Sequence, residues 1–157
     1  MSKCPITRAI ARLKTFAGMP VPVVVKWIDG KPDFRQIDGE TYVQHYRYKL
    51  CSVCGTKLKL SCYWVGGKAS ADSHYFADGP MHEKCAELSI NLCPFLNGTK
   101  PTYRGDDVKA MPLQGADERP AKMYLLRGLT GAIEWHELGS ESAALYAGKQ
   151  LTVVKEF

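Results

Sequence analysis

The sequence predicts an α+β fold, with a small β-sheet domain followed by a C-terminal α/β extension. Three observations predict it. The N-terminal end has apolar residues at helical spacing, short stretches rich in β-branched residues follow, and the centre holds two separated pairs of cysteine and histidine residues. A chain of 157 residues is long enough to bury a core of its own, so we expect an ordinary globular protein.

The first fifty residues predict one helix and three strands. Residues 5–17 form an amphipathic pattern that Gly18 and Pro20 end. Residues 21–28 predict a strand, and residues 34–37 a second strand that pairs back after the turn at 29–32. Residues 42–50 alternate between aromatic and basic side chains, which predicts a third strand.

The central segment carries two pairs of metal-binding side chains. Cys51 and Cys54 are separated by two residues and followed by Gly55, which predicts a tight turn that directs both sulfurs to one point. Residues 57–65 then alternate, and the two glycines at 66–67 predict a hairpin turn. His82 and Cys85 lie three residues apart at the start of a predicted helix that ends at Cys93, so both face the same side.

A knuckle, a hairpin and a helix with the second ligand pair resemble a treble-clef zinc finger. Four nitrogen and sulfur ligands suit Zn²⁺ in a closed tetrahedral site, so we predict that Cys51, Cys54, His82 and Cys85 bind one structural zinc ion. Rival ligand sets would exchange one member for His74, Cys62 or Cys93. We expect these two cysteines, and Cys4, to be unligated.

The rest of the chain predicts a linker and a second, smaller unit. We expect residues 1–100 to form the zinc-binding domain, residues 101–120 a loop or linker, and residues 121–157 an appendage packed on the first part. In the appendage we predict strands at 122–127, 132–136 and 151–155, and a short helix between Ser140 and Gly148.

The composition indicates the cell compartment and the kind of partner to expect. The longest apolar run is too short to cross a bilayer, and the N-terminal residues have no signal-peptide pattern, so we expect a cytoplasmic protein with no membrane partner. Six cysteines in a reducing compartment favour metal binding over disulfides. The net charge of +5 is concentrated near the N-terminus, where a basic helix face can contact phosphates or an acidic partner.

Four segments resemble a family of small uncharacterised bacterial and bacteriophage proteins: residues 20–34, 50–55, 82–86 and 93–96. The resemblance covers about the first two thirds of the chain. It implies a phage or bacterial origin, supports the metal site and the domain limits, and assigns no reaction.

We expect a non-catalytic zinc protein that binds a macromolecule and no small-molecule substrate. Nucleic acid is one partner, because aromatic rings stack on bases while cations contact phosphates. The alternative is a protein-interaction or inhibitor protein acting on host machinery, with contacts from residues 64–67 and 97–120. The candidate partner-binding residues are Arg8, Arg12, Lys14, Tyr46, Arg47, Lys49, Lys57 and Lys59.

A third alternative is a metal-dependent nuclease of the HNH type, for which Asp72, His74 and His82 are the candidate catalytic residues. Two observations disfavour it. Four protein ligands leave no open position for water or a phosphate oxygen, and the rest of the nuclease pattern is missing from the sequence.

Overall fold

The computed structural model describes residues 5–93, Leu96, residues 121–137 and residues 143–157. Within these ranges the chain is a mixed α+β structure, as predicted. Its strands form several small sheets, where one small sheet was expected. The predicted linker at 101–120 lies outside the described residues. None of the helices in the described ranges combines the length and the apolar character needed to span a membrane.

The predicted N-terminal helix is shorter than expected. Helix α1 spans Pro5–Ala11, and the chain then forms a small hairpin from β1, Thr15–Phe16, and β2, Met19–Pro20. The prediction of a helix to residue 17 is therefore wrong. Ala17 and Gly18 both have positive φ angles, 51° and 78°, which make a tight turn where the helical pattern continued in sequence.

The two strands predicted at 21–28 and 34–37 are confirmed in type and pairing, but the first begins at Val25 and the second at Lys31. Strand β3, Val25–Ile28, pairs antiparallel with β4, Lys31–Ile37, through the turn at Asp29 and Gly30. Both turn residues have positive φ angles, as expected of an Asp-Gly pair between two strands.

Residues 42–50 are not a strand. Helix α2 spans Gly39–Tyr48, and Asp38 caps it by accepting a hydrogen bond from the Thr41 backbone N–H at 2.9 Å. The alternating pattern was ambiguous because Tyr42 and Tyr46 also lie one helical turn apart, on the face that packs against Trp135. The dipeptide Asp38-Gly39, whose composition also suits a turn, therefore begins a helix.

The hairpin predicted at 57–67 is also absent. Strand β5, Ser61–Gly67, runs through both glycines and leads into helix α3, Lys68–Ser73, and the short strand β6, Tyr75–Phe76. The antiparallel partner of β5 is β7, Met123–Leu129, from the C-terminal segment. A strand that is distant in sequence thus replaces the local hairpin partner.

The second ligand pair lies at a helix start, close to the predicted position. Helix α4 spans Glu83–Leu92, with His82 as its N-cap and Cys93 as its C-cap. The helix ends where predicted. It begins after His82, so only Cys85 of the pair lies within the helix.

The C-terminal segment has one element of the wrong type. After β7 come a 3-10 turn, Thr130–Ala132, and β8, Glu134–Glu137, followed by β9, Ala143–Tyr146, and β10, Thr152–Glu156. The predicted helix at 140–148 is wrong, because residues 143–146 form the central strand between β6 and β8. Alanine and leucine favour helices, but a paired position inside a sheet overrides that preference.

Two three-stranded sheets contribute buried side chains to the core. Their strand orders are β10-β7-β5 and β6-β9-β8, so the C-terminal segment supplies strands to both. Trp64 of the first sheet stacks on Phe76 of the second, with ring centroids 4.8 Å apart. Trp64 is fully buried, so the expectation that residues 64–67 form an exposed contact loop is wrong.

Capping of α2 gives a stability prediction. Asp38→Ala removes the acceptor for the Thr41 N–H and is expected to lower the free energy of unfolding by about 1 kcal/mol. The hydrogen bond to the Thr41 backbone lowers the pKa of Asp38 below its ordinary value of 3.8. Its contribution is therefore full above that value and is lost as the pH falls through the lower pKa of the folded protein.

Urea denaturation of the wild type and of two variants tests this prediction. Asp38→Asn is the matched control, because it keeps a side-chain oxygen acceptor and should lose much less stability than Asp38→Ala. Equal losses in the two variants would show that the cap is not what stabilises α2.

Candidate metal centre

Four buried side chains converge on one point. The sulfur atoms of Cys51, Cys54 and Cys85 and a ring nitrogen of His82 all lie within 4.8 Å of one another. All four residues are buried, and Cys51 and Cys85 have no exposed surface. This is a Cys3His cluster that fits a metal ion such as zinc.

The first pair is held by a turn of backbone hydrogen bonds. The Gly55 N–H donates to the Cys51 carbonyl at 2.9 Å, and the Cys51 N–H donates to the Thr56 carbonyl at 2.8 Å. Gly55 has a φ of 76°, the conformation for which glycine was predicted here. The Thr56 hydroxyl lies 3.1 Å from the Cys54 sulfur, where it can donate to a thiolate.

The second pair is brought to the first by the segment before α4. The Ser52 N–H donates to the Pro80 carbonyl at 2.9 Å, and its hydroxyl donates to the Gly79 carbonyl at 3.1 Å. On the other side, Tyr63 of β5 and Met81 exchange two backbone hydrogen bonds. The chain is thus fixed on both sides immediately before His82.

A backbone contact fixes which ring nitrogen of His82 faces the sulfurs. Nε2 lies 2.9 Å from the Lys57 carbonyl oxygen, which can only accept, so Nε2 carries the proton. In the neutral ring this leaves the lone pair on Nδ1, which lies 3.4 Å from the Cys54 sulfur and 4.0 Å from the Cys85 sulfur. A histidine that donates one N–H to a carbonyl and offers the other nitrogen to the ion is the usual arrangement in metal sites.

The three cysteine side chains also affect the ionisation of one another. Hydrogen bonds with the side chains of Cys54 and Cys85 lower the pKa of Cys51. The pKa of Cys85 is raised instead, by its hydrogen bonds with Cys51 and Cys54. Three buried sulfurs this close therefore do not all ionise on their own. A divalent cation among them would neutralise the charge of the thiolates, so the donor set fits a metal ion.

The rival ligands lie elsewhere. Cys62 is on β5, and burial raises the pKa of its thiol to about 11, which is typical of an inert core cysteine. Cys93 is the C-cap at the far end of α4 from Cys85. His74 Nδ1 lies 2.8 Å from the Gly148 carbonyl oxygen, and the exposed Asp72 pairs with Lys68 at 2.6 Å. Cys4 is outside the described residues.

The structure separates the eight candidate partner-binding residues into two groups. Arg8 is on α1 and Arg12 follows it, and both are exposed. The Lys14 ammonium lies 5.3 Å from the centroid of the Trp27 ring. These three residues belong to the N-terminal segment, and only Arg8 lies on the helix that was predicted to carry all of them.

The other five candidates lie around the end of α2 and the segment after the knuckle. Tyr46, Arg47 and Lys49 line one cavity. The Leu58 N–H donates to the Lys49 carbonyl at 2.9 Å, which places Lys57 and Lys59 on the neighbouring segment. These residues are candidates because their segments are rich in basic and aromatic side chains. The structure places the two segments next to each other.

The sequence pattern does not indicate two features of the structure. Trp135 of β8 lines the same cavity as Tyr46, although the two lie in distant parts of the chain. On the opposite face of β8, the His136 ring bridges the Tyr75 hydroxyl and the Glu134 carboxylate, at 3.1 Å each. Both features depend on pairing between distant segments, so no local motif indicates them.

The chain was compared with protein-family models, curated proteins and solved structures. None of these comparisons finds a match. The resemblance to bacterial and bacteriophage proteins stays a prediction, and function is inferred below from the chemistry of the described residues.

Metal content is the first property that the cluster predicts. We expect about one equivalent of zinc in freshly purified protein, from one closed four-ligand site. Cys54→Ser and Cys85→Ser should give insoluble or metal-free protein, because a structural zinc ion contributes on the order of 10 kcal/mol to folding. Elemental analysis of the purified proteins measures the content.

Cys93→Ala is the matched control for this experiment, since it removes a cysteine of α4 that lies outside the cluster. It should keep the full metal content of the wild type. Less than half an equivalent in the wild type, or equal loss in the control and in Cys85→Ser, would contradict the assignment.

Proposed function

We propose that the chain is a non-catalytic zinc-binding protein of phage or bacterial origin whose metal site organises a surface that binds nucleic acid. The observation that carries the proposal is the buried Cys3His cluster, in which four protein donors face one point. Such a closed set leaves no position for a substrate atom, so the ion would hold the structure together and would not catalyse a reaction.

Zinc is the metal that best suits this donor set. Soft thiolates with one imidazole in a four-coordinate site are typical of structural zinc, whereas calcium and magnesium prefer oxygen ligands. The hydrogen bond from His82 Nε2 to the Lys57 carbonyl supports the same role, because it holds the ring in the orientation and tautomer that a ligand needs.

We infer a treble-clef-like arrangement for the site. A knuckle at residues 51–55 supplies two ligands, and the N-terminal end of α4 supplies the others. The chain departs from the treble-clef pattern between the two pairs, where β5 pairs with β7 and a local hairpin is missing from the described residues. The comparison therefore rests on the knuckle and the helix alone.

Basic residues beside the knuckle support nucleic acid as the partner. Arg47, Lys57 and Lys59 are exposed, and Lys49 is half-buried next to them. In the described part of the chain, none of these four cations has a carboxylate within 4.0 Å. Cations that are not neutralised by a carboxylate are available to phosphates, which dominate the affinity of proteins for nucleic acids.

The salt dependence of binding tests this proposal. If the four cations contact phosphates, the logarithm of the association constant for a single strand should fall with the logarithm of salt concentration, with a slope of about −3. Fluorescence anisotropy of a labelled oligonucleotide measures the constant. Lys59→Ala should reduce the slope by about 0.7 and weaken binding to all sequences equally.

Lys31→Ala is the charge-matched control, because Lys31 is exposed at the start of β4 and its loss should leave the slope unchanged. Undetectable binding of DNA and RNA at low salt would sink the proposal. If the protein binds no nucleic acid but captures one host protein in stoichiometric amount, the alternative of a protein that acts on host machinery is supported.

A further inference from the structure

We propose that the cavity between α2 and β8 binds an unpaired base of single-stranded nucleic acid, with Trp135 and Tyr46 contacting the base and Arg47 and Lys49 the adjacent phosphates. This inference rests on the proposed function and names the class of nucleic acid and the site that takes it. Trp135 is the residue that no sequence motif indicated.

The cavity is open to solvent and is lined by aromatic and basic side chains. Its volume is about 450 Å³, and it is lined by Val43, Tyr46, Arg47, Lys49 and Trp135. That volume lies within the range typical of sites for small organic groups. The Trp135 ring is half-buried, with its centroid 5.4 Å from that of Tyr46 and 5.5 Å from that of Tyr42.

Packing on both tyrosines holds the tryptophan in place. Tyr42 is buried, and its hydroxyl donates to the Ala77 carbonyl at 2.8 Å, so it is itself fixed. A ring that is already ordered loses little conformational freedom when a base stacks on it. This distinguishes Trp135 from Trp64, which is fully buried and cannot contact a ligand.

The charge of the cavity selects an anionic ligand. Two of its five lining residues are cations, and among the described residues that line it none carries a carboxylate. The Lys49 ammonium lies 4.0 Å from the centroid of the Tyr46 ring, so it is held over the aromatic surface. An aromatic cavity with its own cations repels a methylated lysine or other cationic ligand and attracts a phosphodiester.

Aromatic and basic side chains together favour a single strand over a duplex. In a duplex the faces of the bases are covered by their neighbours, whereas unpaired bases can leave the stack and contact protein rings. The carboxylates of an acidic peptide would pair with Arg47 and Lys49, but acidic side chains have no aromatic ring to stack on Trp135. The combination of rings and cations therefore fits a nucleotide better than a peptide.

The predicted metal site supports this cavity through the backbone. Lys49 ends α2 with a left-handed conformation, φ 53°, and its carbonyl accepts a hydrogen bond from the Leu58 N–H at 2.9 Å. The neighbouring Lys57 carbonyl contacts His82 Nε2 at 2.9 Å. One short segment thus joins the end of α2 to a residue of the Cys3His cluster.

Tryptophan fluorescence of the full zinc-loaded chain tests the inference. The background variant is Trp27→Phe, which leaves buried Trp64 and half-buried Trp135 as the emitters. A thymine oligonucleotide of about 12 nucleotides, within the span of small single-strand sites, should quench the emission on binding. Trp135→Leu in this background should abolish the quenching and weaken the affinity, measured by anisotropy, about tenfold or more.

Two further variants guard against a change in folding. Arg47→Ala alters an exposed side chain, and Lys49→Asn removes a charge while keeping a residue type that tolerates the left-handed conformation. Each should weaken binding to the single strand by about threefold or more at low salt and keep the wild-type circular dichroism spectrum. Lys31→Ala, outside the cavity, should weaken it less than either.

The outcomes separate this inference from the proposed function. Absence of binding to any nucleic acid by the wild type would remove both. Normal binding by Arg47→Ala and Lys49→Asn, or quenching that persists without Trp135, would overturn the cavity alone. Tighter binding to a duplex of the same length, or equal competition by a polyglutamate peptide, would also overturn it.

Discussion

The convergence of two distant ligand pairs on one point is the constraint on which the centre of the molecule depends. The knuckle at Cys51 and Cys54 and the start of α4 at His82 and Cys85 belong to different elements, and no sheet contains both. Backbone contacts from Ser52 and Tyr63 fix the approach to α4, yet they leave three thiols that do not all ionise in each other's presence. A bound cation would remove that conflict, because it stabilises the thiolates and adds its own binding energy to folding.

The same constraint extends from the cluster to the surface. The His82 ring contacts the Lys57 carbonyl, and the next residue, Leu58, pairs with Lys49 at the end of α2. The basic residues of this region therefore lie on backbone that the cluster helps to hold. A metal ion bound in the cluster would therefore help to fix the segments that present Arg47, Lys49, Lys57 and Lys59.

The parts of the structure that the sequence predicted are those determined by local chemistry. Gly55 was expected in a tight turn and has the positive φ that such a turn needs, and α4 ends at Cys93, before the proline. The predictions that were wrong concern segments whose local pattern fits two kinds of element, or whose structure is decided by pairing with distant segments. Tyr42 and Tyr46 suit an alternating strand and a helical face equally, and Asp38 acts as a cap instead of a turn residue. Residues 143–146 have a helical composition but lie between two strands. Trp135 contacts Tyr46 because β8 lies beside α2, and no local motif indicates that contact.

X-ray absorption at the zinc edge of the purified protein tests the central claim most directly, because it reports the ligand atoms themselves. The account predicts three sulfur ligands at about 2.3 Å and one nitrogen ligand at about 2.0 Å. In His82→Ala the nitrogen contribution should disappear while the sulfur contribution remains. A first shell made of oxygen and nitrogen atoms, or one that contains fewer than three sulfurs in the wild type, would show that Cys51, Cys54 and Cys85 do not share one ion and would contradict the account.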